Sequence, residues 1–358
     1  MTNIVRLDTP FRQYSMAARQ AALLTTFAQN RRFGDDVFWL KENAEVLNVL
    51  ECTNAELEPD ALAVHGGFYE DIEKRMGFFP QYYRFLLSMC LDLENLGLPG
   101  GKGVRLAEWV AAQRLVDAEI SDLQRAEARR LCLRRGVDPL PGDLGLNDRL
   151  RRFARRSNTF AMPNKKAAYE LTHIVFYLSE YGRHDPDLDD EFIESLTFAG
   201  TLAFLDLNVD LLSEICIALR FAGRRPSEIW ESWLMSQAQG FVLEEDANGP
   251  IQDDYHQYLM VNWFMKVANK GGFAASIPAG RVIFHQPIPA ALPLHELSEC
   301  VYAMGETRSD DWQAMRRAVT DRLSEEAHTV LTAAEAANDR FDAFFAGFAR
   351  VGLNGATA

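Results

Sequence analysis

Glu170-Leu-Thr-His173-Ile-Val-Phe-Tyr177-Leu-Ser-Glu180 is the stretch on which the fold reading turns. Leu171, Ile174, Val175 and Leu178 recur at spacings of three and four, the period of an α-helix. Phe176 fills the remaining face, so the helix is apolar nearly all round and belongs in an interior, where any polar group needs a partner. At 100° per residue, Glu170, His173, Tyr177 and Glu180 fall within roughly 80° of arc. One helix would thus offer two carboxylates, an imidazole and a phenol to one point. A second stretch, Asp253-Asp-Tyr-His256, again sets a carboxylate three residues before a histidine.

The same periodicity runs from Tyr14 to about Phe348, and runs of alternating Val, Ile and Thr are nearly absent. The spacing predicts helices over 14–30, 36–52, 56–75, 79–96, 104–135, 146–157, 164–182, 188–205, 208–222, 226–240, 252–270, 292–304, 309–327 and 329–349. An all-α protein follows, built as a single (α/α) toroid or a large helical bundle over 1–358, with Pro- and Gly-rich linkers at 97–103 and 136–145 and room for a subdomain boundary near 140. Segment 277–293 departs from the pattern. Pro278, Pro287, Pro289 and Pro293 forbid a continuous helix there, Arg281 to His285 can be extended, and the apolar Val282, Ile283 and Phe284 suit a cover over a cavity entrance.

Composition narrows the function classes. The chain has 358 residues, 48% hydrophobic and 25% charged, with a formal net charge of −14. Such a surface repels phosphate arrays, which argues against nucleic acid and anionic membranes as partners. The first residues lack a long apolar run behind a basic start, so a cytoplasmic location is expected. The stretch Leu196 to Leu205 falls short of the ~20 apolar residues of a membrane span. Cys52, Cys90, Cys132, Cys216 and Cys300 are scattered among apolar neighbours and suggest neither a disulfide framework nor a zinc ribbon. The basic cluster Arg149, Arg151, Arg152, Arg155 and Arg156 reads as a solvated face offset by acids, and Gly100-Gly101-Lys102-Gly103 does not have the spacing of a phosphate loop.

The carboxylate and histidine pairs carry the chemistry. A di-iron centre in a helical bundle takes Glu-x-x-His from two helices and single carboxylates from two others, because hard oxygen ligands with imidazole suit iron. Glu170 with His173 forms one half, Asp253 with His256 the other, and Asp92 or Glu94 together with Asp206, Asp210 or Glu214 are the candidate single carboxylates. Tyr177 and Glu180 are placed for acid-base work and Tyr255 for contact with substrate. The expected function is that of a metal-dependent enzyme, an iron or di-iron oxidase acting on an apolar lipid-like or isoprenoid substrate. The alternative is a non-catalytic helical scaffold that binds a partner protein, with its histidines merely packed.

Leu-Thr-His173-Ile-Val-Phe-Tyr177-Leu-Ser-Glu-Tyr-Gly182, followed downstream by Tyr255-His256-Gln-Tyr-Leu, resembles a pattern of poorly characterised bacterial all-helical proteins, some of them similar to terpenoid-cyclase-type (α/α) toroids. The resemblance covers some thirty residues. It implies an all-helical barrel with His173 and His256 facing a common interior. The Asp-x-Asp-Asp of protonating cyclases has its order matched only in Asp187-Leu-Asp-Asp190, which starts a helix.

Overall fold

The computed structural model describes residues 15–32, 36–58, 60–250, 252–289 and 291–351. Among them are seventeen α-helices and one two-stranded antiparallel sheet, Val242–Glu245 with Val282–His285, in which Leu243 faces Phe284. The all-α expectation holds, and the extended stretch anticipated around 281–285 is the second strand. Its partner at 242–245 was not foreseen, because four residues with two glutamates carry little alternation.

Side-chain caps set many helix starts. Asp36 accepts from Phe38 N and Trp39 N, Asn164 from Ala167 N, Asp189 from Phe192 N and Asn208 from Leu211 N. Each satisfies an amide that the helix itself leaves without an acceptor. The predicted helix over 104–135 is broken. Arg114 adopts a left-handed conformation at φ 54°, and Ser121 caps a new helix, Asp122–Leu133, by accepting from Gln124 N. Likewise the expected 309–327 and 329–349 resolve into Trp312–Thr320, Glu325–Ala336 and Phe341–Ala349.

Buried apolar residues from Leu23 to Ala349 join in one contiguous cluster. At its centre lies the helix Val209–Phe221, nearly every residue of which is buried. It packs on Lys165–Leu178, Asp190–Leu205 and Tyr255–Val267, and the last of these also meets Val37–Cys52. Polar side chains on these neighbours therefore converge where water is scarce. No helix among the described residues is long and apolar enough to cross a membrane, and the five cysteines are free thiols.

Candidate metal centre

The Val209–Phe221 helix carries Asp210 and Glu214 one turn apart on one face. From the facing Tyr255–Val267 helix, His256 Nε2 stands 3.2 Å from Asp210 Oδ1, while its Nδ1 lies 3.1 Å from Glu45 Oε2 on Val37–Cys52. From Lys165–Leu178, His173 Nδ1 is 3.7 Å from Glu214 Oε2. Tyr169 donates its hydroxyl to Asp210 Oδ2 at 2.6 Å, and Thr172 donates to Glu214 Oε2 at 2.5 Å. Four helices thus deliver three carboxylates and two imidazoles to one locus.

The charges at this locus shape one another. Burial pushes the Asp210 carboxyl up, but the hydrogen bond and positive charge of His256, with the Tyr169 hydroxyl and His173, hold it below its usual range. Burial raises Glu214, and the nearby Asp210 charge adds to this against the opposing pull of His173 and Thr172. The two carboxyls are thus shifted in opposite directions, Asp210 down and Glu214 up. Burial lowers His256, yet Glu45 and Asp210 more than reverse this and raise it well above the ordinary imidazole value. His173 donates its Nδ1 proton to the Tyr169 carbonyl at 2.7 Å, a bond that leaves Nε2 with the free lone pair. The His173 side chain is 35% exposed and that of Glu214 3%, so the cluster reaches solvent along one side.

Asp210, Glu214 and His256 each offer a ligand atom, and these atoms lie within 4.8 Å of one another. Two carboxylates and an imidazole suit a divalent first-row metal. Asp210 Oδ1 is buried, with His256 Nε2 at 3.2 Å beside it, so a cation held by Asp210 would sit next to that imidazole.

Of the residues anticipated from the sequence, His173 and His256 do face the same carboxylate pair, and Asp210 and Glu214 were among the single-carboxylate candidates. The others go elsewhere. Glu170 is half-buried and outside the cluster. Asp253 precedes the helix, which begins at Tyr255, so it shares no helical face with His256. It is held instead by Arg31, at 2.8 Å from Nη1, and accepts from Phe284 N. Tyr255 packs against Phe27 with its hydroxyl beside Glu45, a place in the wall of the cluster rather than in an open pocket.

Tyr177 and Glu180 belong to a separate network. The Lys165–Leu178 helix ends before Glu180, which sits at φ 44° and turns its carboxylate to Arg130 Nη1 at 3.1 Å. The shared face drawn through Glu170, His173, Tyr177 and Glu180 therefore stops at Tyr177. Near Arg130, Arg134 bonds Asp92 at 2.7 Å and Glu51 at 3.1 Å, with Arg183 also on Glu51. Asp92 is thus a structural partner, and Glu94 pairs with Arg135. Glu45 was missed; in Trp39-Leu-Lys-Glu-Asn-Ala-Glu45-Val-Leu it resembles any exposed acid four residues after a lysine, and Lys41 is indeed 3.8 Å from it.

The expected cover, 277–293, is anchored by Val282, Ile283 and Phe284, all buried. Beyond them Gln286 to Pro289, with Asn208, Asp254 and Gln257, border an open cleft of about 420 Å³. Asn208 and Gln257 stand near or beside Asp210 and His256 in the chain, so the cleft flanks the centre. The basic cluster is tied down as a surface, with Arg149 on Asp122 and Asp143 and Arg155 on Asp189.

The chain belongs to a family defined by a domain of unknown function, DUF6902, whose model matches residues 1–351. No curated protein and no solved structure matches it.

Proposed function

We propose that this chain is a metal-dependent enzyme, with Asp210, Glu214 and His256 holding one divalent ion of the iron class and His173, Glu45 and Tyr169 shaping its surroundings. The observation that supports this reading is the convergence of two buried carboxylates and an imidazole, Asp210, Glu214 and His256, with ligand atoms within 4.8 Å of one another. The ion would supply Lewis-acid and redox chemistry. His173, with its lone pair at Nε2, is the group able to accept a proton beside it. Phe160, Met162, Ala168, Leu202 and Leu211 line a narrow apolar slot of about 40 Å³, too small as it stands for a lipid-like body, so an apolar substrate would have to widen it to reach the side of the centre where Ala168 and Leu211 adjoin Tyr169 and Asp210. The toroid-like helical arrangement, the oxidase activity on a lipid-like substrate and a cytoplasmic setting go with this reading.

The rival is a scaffold in which His256 is simply an imidazolium clamped between Glu45 and Asp210. Elemental analysis of protein purified without chelators separates the two. The expected result is roughly one iron, manganese or zinc per chain, lost in Asp210→Asn and His256→Gln. A metal-free wild type whose melting temperature does not move on addition of Fe(II), Mn(II) or Zn(II) would overturn the proposal, because an ion at 100 times its Kd stabilises by about 2.7 kcal/mol.

A further inference from the structure

The Asp122–Leu133 helix, the start of Leu146–Ala154 and the last turn of Lys165–Leu178 enclose a cleft of about 340 Å³, which shares no lining residue with the carboxylate and histidine cluster, although the ring of Tyr177 in its wall lies 5.9 Å from that of His173. Its wall combines Arg129, Arg130, Asn147 and Tyr177 with Leu133 and Leu178, and no acid lines it. In a chain of net charge −14 that is a local reversal of sign.

Arg130 is the unusual member. It is 8% exposed, yet its guanidinium makes one carboxylate bond, Nη1 to Glu180 at 3.1 Å, and lies over the rings of Tyr181 and Tyr177 at 4.5 and 5.3 Å. Its Nε is buried with no acceptor. A guanidinium has five N–H donors in a planar fork, and burying it with donors unmatched is costly unless an oxyanion meets them. Arg129 is already engaged, by Asp138 at 2.7 Å and by the Asp143 carbonyl at 3.0 Å.

We infer that this cleft binds a small organic monoanion, a carboxylate with an aromatic or alkyl body, whose oxygens meet Arg130 and whose body rests on Tyr177, Leu133 and Leu178. A monoanion is favoured over a dianion because Glu180 and Glu127 also face this guanidinium and would repel a second negative charge. The apolar half of the wall selects an organic body over an inorganic ion. This site stands independently of the metal reading.

Calorimetric titration of the full chain with benzoate, hexanoate, benzamide and inorganic phosphate tests it. Benzoate is expected to bind with Kd on the order of 1 mM, and benzamide, equal in shape but uncharged, about tenfold more weakly. Arg130→Gln should abolish benzoate binding. Because Arg130 also holds Glu180, the second variant is Asn147→Asp, an exposed change that adds a negative charge to the wall; it should weaken benzoate about fivefold with an unchanged melting temperature. Equal binding of benzamide and benzoate, an unaffected Asn147→Asp, tighter binding of phosphate than of benzoate, or no benzoate binding at all would each overturn the inference.

Discussion

His65 is fully buried, with Nε2 donating to Asn43 Oδ1 at 2.9 Å and Nδ1 facing no partner. Protonating Nδ1 would place a charge where nothing accepts it, and burial lowers the pKa to about 4. An unfolded chain takes up that proton near 6.5. The contribution to stability is therefore complete above pH 6.5 and lost as pH falls toward 4, about 3 kcal/mol in all. Urea unfolding between pH 7 and 4 should show wild type losing stability more steeply than His65→Asn, and parallel curves would refute the assignment. His65 shows the limit of reading single residues. Its sequence neighbours Gly66 and Gly67 suggest a loop, and the ring is buried only once the Val37–Cys52 helix brings Asn43 and Trp39 against it. Asp210 and Glu214 were visible as acids on an apolar helix, where a charge needs a partner. Glu45 and Arg31 carried no such mark, because each looks exposed until another helix arrives.

Helix ends decided which parts of the site survived. Lys165–Leu178 stops because Glu180, Tyr181 and Gly182 take left-handed conformations, with φ 44°, 54° and 84°. A Cβ on Gly182 would meet the Phe221 ring at 2.5 Å, whereas one on Gly223, at φ 69°, meets open space. Gly182→Ala should therefore cost about 3 kcal/mol, strain plus overpacking, and Gly223→Ala about 1 kcal/mol. Denaturant midpoints measure the difference; equal losses would mean that Phe221 does not close over Gly182. The helical run Lys165–Leu178 is legible from its 3.6 period. Its stop is not, because three successive left-handed residues, two of them not glycine, are held by contacts with the Phe221 helix and Arg130 rather than by local preference. The break at Arg114 inside the predicted 104–135 helix is local by contrast: its side chain is exposed and bonds Asp117 three residues on.

Across the whole molecule Arg31 joins segments far apart in sequence. Its guanidinium, 7% exposed, bonds Glu42, Asp253 and the Val282 carbonyl while lying over Phe27, Tyr255 and Phe284. It thereby clamps the small sheet to Val37–Cys52. Arg31→Met leaves Asp253 charged and unpaired in the interior, and about 3–5 kcal/mol should be lost. Adding Asp253→Leu should recover most of it, since replacing both partners by apolar groups removes the stranded charge. A double variant no more stable than the single would show that the pair is not coupled. Periodicity and composition by themselves determined that this protein is all-α, that its cysteines are apolar packing residues and that His173 and His256 stand on interior helices. Those properties follow from local spacing and from the low solubility of apolar surface in water, which act on any stretch of chain. Which carboxylates meet the two histidines, which arginine takes Asp253 and where Glu180 turns were decided only by tertiary structure. Ion pairing in an interior depends on which charge arrives within 3 to 4 Å once the helices have packed, and residues as distant as Glu45 and His256 acquire that relation only in the fold.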